Sequence, residues 1–192
     1  MRIQVPVFVA STLVWGFALV ALGAQSFPTP PVKPGLWETT SSVLDADGHE
    51  VPPPEQAALA RLTPEMRASM AESLKARGIT LPDANGATRA CLTRELFASG
   101  QWQQVAAEAG CTTTFSSRTT PTWKWHSSCT AMKAESDGEM TFASDESYRA
   151  TLTTTVTLAG KTRTSKRIVR AKWIAASCGD LKPLSLPASP GK

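Results

Sequence analysis

Cys91, Cys111, Cys129 and Cys178 are the chain's four thiols, and their spacing limits the chemistry they can do. No two stand as Cys-x-x-Cys, the spacing of a dithiol redox centre. A tetrahedral zinc site needs four ligands at short intervals, and only His49 and His126 are available to help. Asp45, Asp47, Gly48 and Glu50 resemble a calcium loop, but that loop needs a third ligand before its glycine and a glutamate six residues after it. Both are absent, so the stretch reads as a plain turn. Met66 and Met70 stand one helical turn apart and could hold copper(I), yet they also fit an apolar helix stripe. Gly-x-Ser-x-Gly, phosphate-loop and His-Glu-x-x-His patterns are missing. No catalytic residue, cofactor or metal ligand is expected.

An even number of cysteines in an exported chain is most simply a pair of disulfides, with three possible connectivities. Strand periodicity chooses one. When Cys111–Cys129 is folded about Thr120, Cys111 meets Cys129, Thr113 meets Ser127, Phe115 meets Trp125 and Ser117 meets Trp123. Side chains alternate faces along a strand. One face thus carries both thiols with Phe115, Trp123 and Trp125, and the other carries Thr112, Thr114, Ser116, Lys124, His126 and Ser128. Opposed strand residues place Cβ atoms ~4.5–5.5 Å apart, close to what a disulfide bridges. Pro121 cannot take the positive φ of many tight turns, which predicts a five-residue loop, Arg118–Thr122. By exclusion, Cys91 pairs with Cys178.

Export is inferred from the start of the chain. Residues 1–26 have one basic residue, Arg2, then a long uncharged apolar run ending in Ala24-Gln25-Ser26. This is the pattern of a cleaved secretory signal, with the cut between Gly23 and Phe27. The competing reading is an uncleaved anchor, since Val5–Ala24 approaches the ~20 apolar residues that span a bilayer. A periplasmic or secreted location follows, with no transmembrane segment after cleavage. Residues 27–182 have the length of one domain, and 183–192 read as a loose Pro- and Ser-rich tail. The formal net charge of +4 is too mild to argue for nucleic acid.

The flanking elements are mainly β. Gly35–Leu44 reads as a strand and residues 45–50 as a turn. Thr63 caps a helix that has Pro64 at its first position and ends at Gly78. Leu59, Leu62, Met66, Met70 and Leu74 form its apolar stripe. A short helix from Arg94 to about Phe97 is capped by Thr93. Asp137-Gly138 reads as a two-residue hairpin turn. Tyr148–Leu158 alternates in polarity, 159–161 turns the chain, and Val169, Ala171, Trp173 and Ala175 form an apolar row on the way back. No single register aligns every apolar residue of that last pair, so a bulge is expected. The architecture expected is a curled antiparallel meander or partial barrel, with one or two short helices inserted after the first strand.

Pro34–Glu38, Cys91-Leu92-Thr93, Gly138–Phe142 and Cys178 occur in an order that resembles a domain-of-unknown-function family of small exported proteobacterial proteins. Such a family is marked by a Pro-Gly-Leu-Trp-Glu start, a Cys-Leu-Thr motif, a Gly-Glu-Met hairpin and a terminal cysteine. The resemblance spans about residues 33–180 and implies a periplasmic, disulfide-bonded β domain with no activity to carry over. An Ala- and Met-rich helical stretch before Cys91 departs from the family pattern.

Function is therefore ranked from surfaces. Trp125 and Trp173 are candidate lining for a small apolar or amphipathic ligand, because tryptophans line apolar cups as well as cores. Lys166, Arg170 and Lys172 share a strand face, with Arg163 and Arg167 on the other, and are candidate contacts for an anionic envelope surface. A solvated strand that resists aggregation explains the same bases. A non-catalytic binding domain ranks first and an envelope interaction module second. A hydrolase or lyase using His126 or paired carboxylates ranks last.

Overall fold

The computed structural model describes residues 29–99 and 110–185. The expected leader and the end of the tail lie outside the described residues. Among the described residues eight strands form one antiparallel sheet: β1 (Gly35–Leu44), β2 (Glu50–Val51), β3 (Thr88–Leu92), β4 (Cys111–Thr119), β5 (Thr122–Cys129), β6 (Ala134–Ser144), β7 (Ser147–Leu158) and β8 (Lys161–Ala175). The order is β2-β1-β8-β7-β6-β5-β4, with β3 paired to the first half of β1. The meander from β4 to β8 was expected; the sheet stays open, with β4 at one edge and β2 and β3 at the other.

Among the described residues three helices accompany it: α1 (Pro54–Ala60), α2 (Pro64–Ala76) and α3 (Arg94–Ser99). The caps are those expected. Thr63 Oγ1 accepts from Met66 N at 3.3 Å and Thr93 Oγ1 from Leu96 N at 3.2 Å. The stripe on α2 is not core, however: Met66 is 55% exposed and the helix buries no residue. Arg67 Nη2 ties α2 to α1 by donating to Leu59 O at 2.7 Å. α1 is anchored to the sheet, with Arg167 Nη1 donating to Glu55 at 2.5 Å and to Ser41 Oγ at 3.3 Å.

The core gathers Trp37 of β1, Cys91 of β3, Leu96 and Phe97 of α3, Phe142 of β6, Ala150 of β7 and Ala171 of β8. Trp37 is the anchor, 1% exposed, and its indole N–H donates to Lys33 O at 2.9 Å. A buried indole needs such a partner. Ile168 is also buried, although it stands between Lys166 and Arg170 on the other face.

Several local expectations are corrected. Asp137-Gly138 is no turn; both residues lie inside β6, which pairs with β5 and β7 on its two sides. The chain turns earlier, at 130–133, where Lys133 N donates to Thr130 O at 3.2 Å. Gly138 leaves room for the Trp125 indole: a Cβ there would lie 2.1 Å from Trp125 Cε2. The β4–β5 loop is also shorter than expected. Thr119 pairs with Thr122 across a two-residue turn that has a cis Thr120–Pro121 peptide and no positive φ at either residue. The β7–β8 pair runs from Leu158↔Lys161 to Ser147↔Lys172 without the expected bulge. Ala159 at φ 49° and Gly160 at φ 74° set a tight turn that dictates this register. The tail is fastened rather than loose up to Ser185: Leu184 N donates to Cys91 O at 2.7 Å and Ser185 N to Arg77 O at 3.0 Å.

Candidate functional site

Both disulfides form as expected. Cys111–Cys129 closes the far end of the β4–β5 hairpin and Cys91–Cys178 joins β3 to the segment after β8. No cysteine is free. The expected pairs Cys111↔Cys129, Thr113↔Ser127 and Phe115↔Trp125 are all present. Past Phe115 a bulge shifts the register by one, so Arg118 rather than Ser117 faces Trp123. A bulge re-aims the side chains that follow it. Here it brings the Arg118 guanidinium over the Phe115 ring, 4.0 Å from its centroid.

A chain of aromatic rings crosses this face of the sheet. Trp37 meets Tyr148 at 5.6 Å between centroids, Tyr148 meets Phe142 at 6.1 Å, and Phe142 meets Trp123 at 5.4 Å. Phe115 then meets Trp123 at 6.1 Å and Trp125 at 6.3 Å. These are tilted and edge-on geometries, which the ring quadrupole favours. Burial is lower toward the β4 edge. Trp37 and Phe142 are buried and Tyr148 between them is half-buried, whereas Phe115, Trp123 and Trp125 near that edge are all half-buried. Beyond Phe115 and Trp125 on the same face, the Thr113 and Ser127 hydroxyls meet at 2.8 Å. An aromatic platform is thus bounded by a hydroxyl pair on one side and a guanidinium on the other.

Of the two tryptophans singled out from the sequence, Trp125 belongs to this platform and Trp173 does not. Trp125 aligns through Gly138 and Leu152 with Arg167, six residues along β8 from Trp173, or about 20 Å at strand spacing. Trp173 instead donates its N–H to Pro34 O at 3.0 Å, with Lys33 Nζ 5.6 Å from its ring centroid.

The opposite face is an ion-pair ladder. Arg170 grips Glu50 with both terminal nitrogens at 2.7 and 2.6 Å; with Ser42, this holds the Glu50 carboxyl down at about 2. Lys172 pairs with Glu38 at 2.8 Å and Arg89 with the same carboxylate at 3.0 Å, lowering its pKa. Of the three basic candidates, only Lys166 has no ion-pair partner among the described residues. Shallow grooves of about 440 and 470 Å³ lie along this face. Lys124, Asp137, Glu139 and Lys166 help line the first, to which Trp125 also contributes.

His126 stands between two acids, Nδ1 to Asp137 Oδ1 and Nε2 to Glu135 Oε2, both at 2.9 Å. Carboxylates only accept, so both ring nitrogens must donate and the imidazolium form is favoured. Asp137, then Glu135, raise its pKa. Ser128 Oγ donates to Glu135 at 2.8 Å rather than to the histidine. A general base needs a ring nitrogen free to take a proton, and here neither is. The exposed Asp45, Asp47 and His49 side chains could approach a common ion, but Asp45 Oδ1 already accepts from the Asp47 and His49 amides, as in a turn.

Among relatives, an "Uncharacterized protein in lpd-3 5'region" of Pseudomonas putida is 39% identical over 118 residues, which cover 59% of this chain and 79% of that protein. No solved structure matches. The family model described as "Protein of unknown function (DUF3617)" matches residues 32–178, from just before β1 to the second cysteine of the Cys91–Cys178 bond. The chain belongs to the DUF3617 family.

Proposed function

We propose that this protein is a non-catalytic domain of the cell envelope that binds a small amphipathic molecule. The apolar body lies on Phe115, Trp123 and Trp125, and an anionic head meets Arg118. The observation that carries this reading is the loss of burial along one continuous run of rings, which ends beside an unpaired guanidinium. A run that served packing alone has no need to finish at solvent beside a cation. The guanidinium is planar and always charged, and it matches a carboxylate or phosphate fork. Export is part of the proposal; two disulfides suit an oxidising compartment. No described helix is long and apolar enough to cross a membrane.

The test is a tryptophan-fluorescence titration of the protein recovered from expressing cells, with laurate and with dodecanol, alongside native mass spectrometry for a retained molecule. Both ligands should quench or blue-shift the emission, and Arg118→Gln should weaken laurate while leaving dodecanol unchanged. No spectral response to either ligand, together with no retained mass, would overturn the proposal.

A further inference from the structure

At one end of the sheet, the β7–β8 hairpin outruns its neighbour. β1 pairs with β8 only as far as Val43↔Arg167, so Lys161–Lys166 has β7 on one side and, among the described residues, no paired strand on the other. This projecting piece carries Lys161, Arg163 and Lys166, none with an ion-pair partner among the described residues. No Asp or Glu occurs from Ser147 to Gly179, so the hairpin cannot neutralise itself. Its tip is apolar. Leu158 is 66% exposed, and Met132, in the adjoining turn, is 53% exposed. The two turns are joined by Thr157 N donating to Lys133 O at 3.0 Å. Leu158 pairs with Lys161 and Val156 with Arg163, so cations flank the exposed leucine on its own face.

We propose that this hairpin tip docks on an anionic lipid leaflet. Leu158 and Met132 enter the headgroup boundary, and Lys133, Lys161, Arg163 and Lys166 meet the lipid phosphates. Exposed apolar side chains ringed by cations have the chemistry of an interfacial anchor. Pairing with a second copy fits less well, because joining two such edges would bring like charges together. Apart from Lys166, which lines a groove with Trp125, the surface is separate from the aromatic platform, so either can fail without the other.

Vesicle co-sedimentation of the protein recovered from expressing cells tests the idea, using phosphatidylglycerol-containing and pure phosphatidylcholine vesicles. Binding should favour the anionic vesicles and fall with salt, by roughly five-fold for each basic residue removed. Lys161→Gln, Arg163→Gln and Lys166→Gln together should therefore abolish measurable binding, and Leu158→Ser with Met132→Ser should weaken what salt leaves. Wild type and variants share the same N-terminus, so an apolar leader contributes equally to all. Equal binding to neutral vesicles, no loss in the charge variant, or a concentration-dependent dimer that the same variant disrupts in sedimentation velocity would each overturn the proposal. Circular dichroism on every variant shows whether a loss of binding is a loss of fold; a variant that unfolds is replaced by the corresponding single substitutions.

Discussion

Replacing Gly138 by alanine should destabilise the protein, against the ordinary preference of strands for alanine over glycine. An ideal Cβ at this position falls 2.1 Å from Trp125 Cε2 and Cζ2 and 2.7 Å from Cδ2. Carbon atoms rest ~3.5–4.0 Å apart, so the indole must retreat by about 1.5 Å. It cannot do so freely, because Phe115 stands 6.3 Å away centroid to centroid on the neighbouring strand. Overpacking of this kind costs ~1–3 kcal/mol, while removing a strand glycine gains ~0.5–1 kcal/mol. The net expectation is a loss of about 1–2 kcal/mol. With Trp125→Ala already in place the clash vanishes and only the gain remains, so the sign reverses. The coupling energy is then about 2–3 kcal/mol. Urea unfolding of the four proteins in the cycle, followed by far-ultraviolet circular dichroism, measures it. A neutral or stabilising Gly138→Ala in the wild-type background, or the same sign in both backgrounds, would refute the packing role of Gly138.

Removing Cys91–Cys178, at a sequence separation of 87, should cost somewhat over ~4 kcal/mol, and Cys111–Cys129, at a separation of 18, ~3 kcal/mol in the chain-entropy account; denaturant midpoints of the two paired serine variants test the order. His126 has its pKa raised by Asp137, so its contribution is complete below the unfolded value of ~6.5 and is lost as pH rises through the folded value. The stability gap between wild type and His126→Gln should therefore shrink above neutrality, and a pH-independent gap would count against the clamp. Glu50 works in the opposite sense, contributing above the ordinary carboxylate range and losing that contribution as pH falls through about 2. Arg170→Gln should return the Glu50 titration toward the usual value, read by carboxylate NMR.

The β4–β5 register could be read from sequence because two independent rows, thiols and aromatics, coincide in one alignment. Asp137-Gly138 misled because a turn dipeptide is a local signal, whereas this glycine answers to a tryptophan on the next strand. In the β7–β8 pair, matching apolar residues was the wrong criterion. The turn at Ala159-Gly160 fixes the register and sets Leu152 against Arg167, whose charge is met by Glu55 of α1. β3 went unseen because its five residues alternate weakly and owe their strand to β1. The place of Trp125 on the aromatic face was legible, but that of Arg118 was not, since it reaches the platform through a bulge that periodicity does not foretell. The acids that engage Arg170 and Lys172 come from β2 and β1, more than a hundred residues away in the chain.

An open sheet also limits how tightly the aromatic platform can bind. Phe and Trp side chains present ~150–250 Å² each, so three partly buried rings with roughly a fifth of that surface exposed leave on the order of 100–150 Å² to cover. At ~25 cal/mol per Å² that is about 3 kcal/mol, doubled to about 6 by the matching ligand surface. A charge-assisted bond from Arg118 adds ~1.5–3 kcal/mol, and association costs at least ~4 kcal/mol. The balance of about 4–5 kcal/mol corresponds to a Kd in the high micromolar to millimolar range. A laurate titration should saturate there. A nanomolar value would require apolar surface beyond these three rings, placing the site elsewhere or requiring the sheet to close around its ligand.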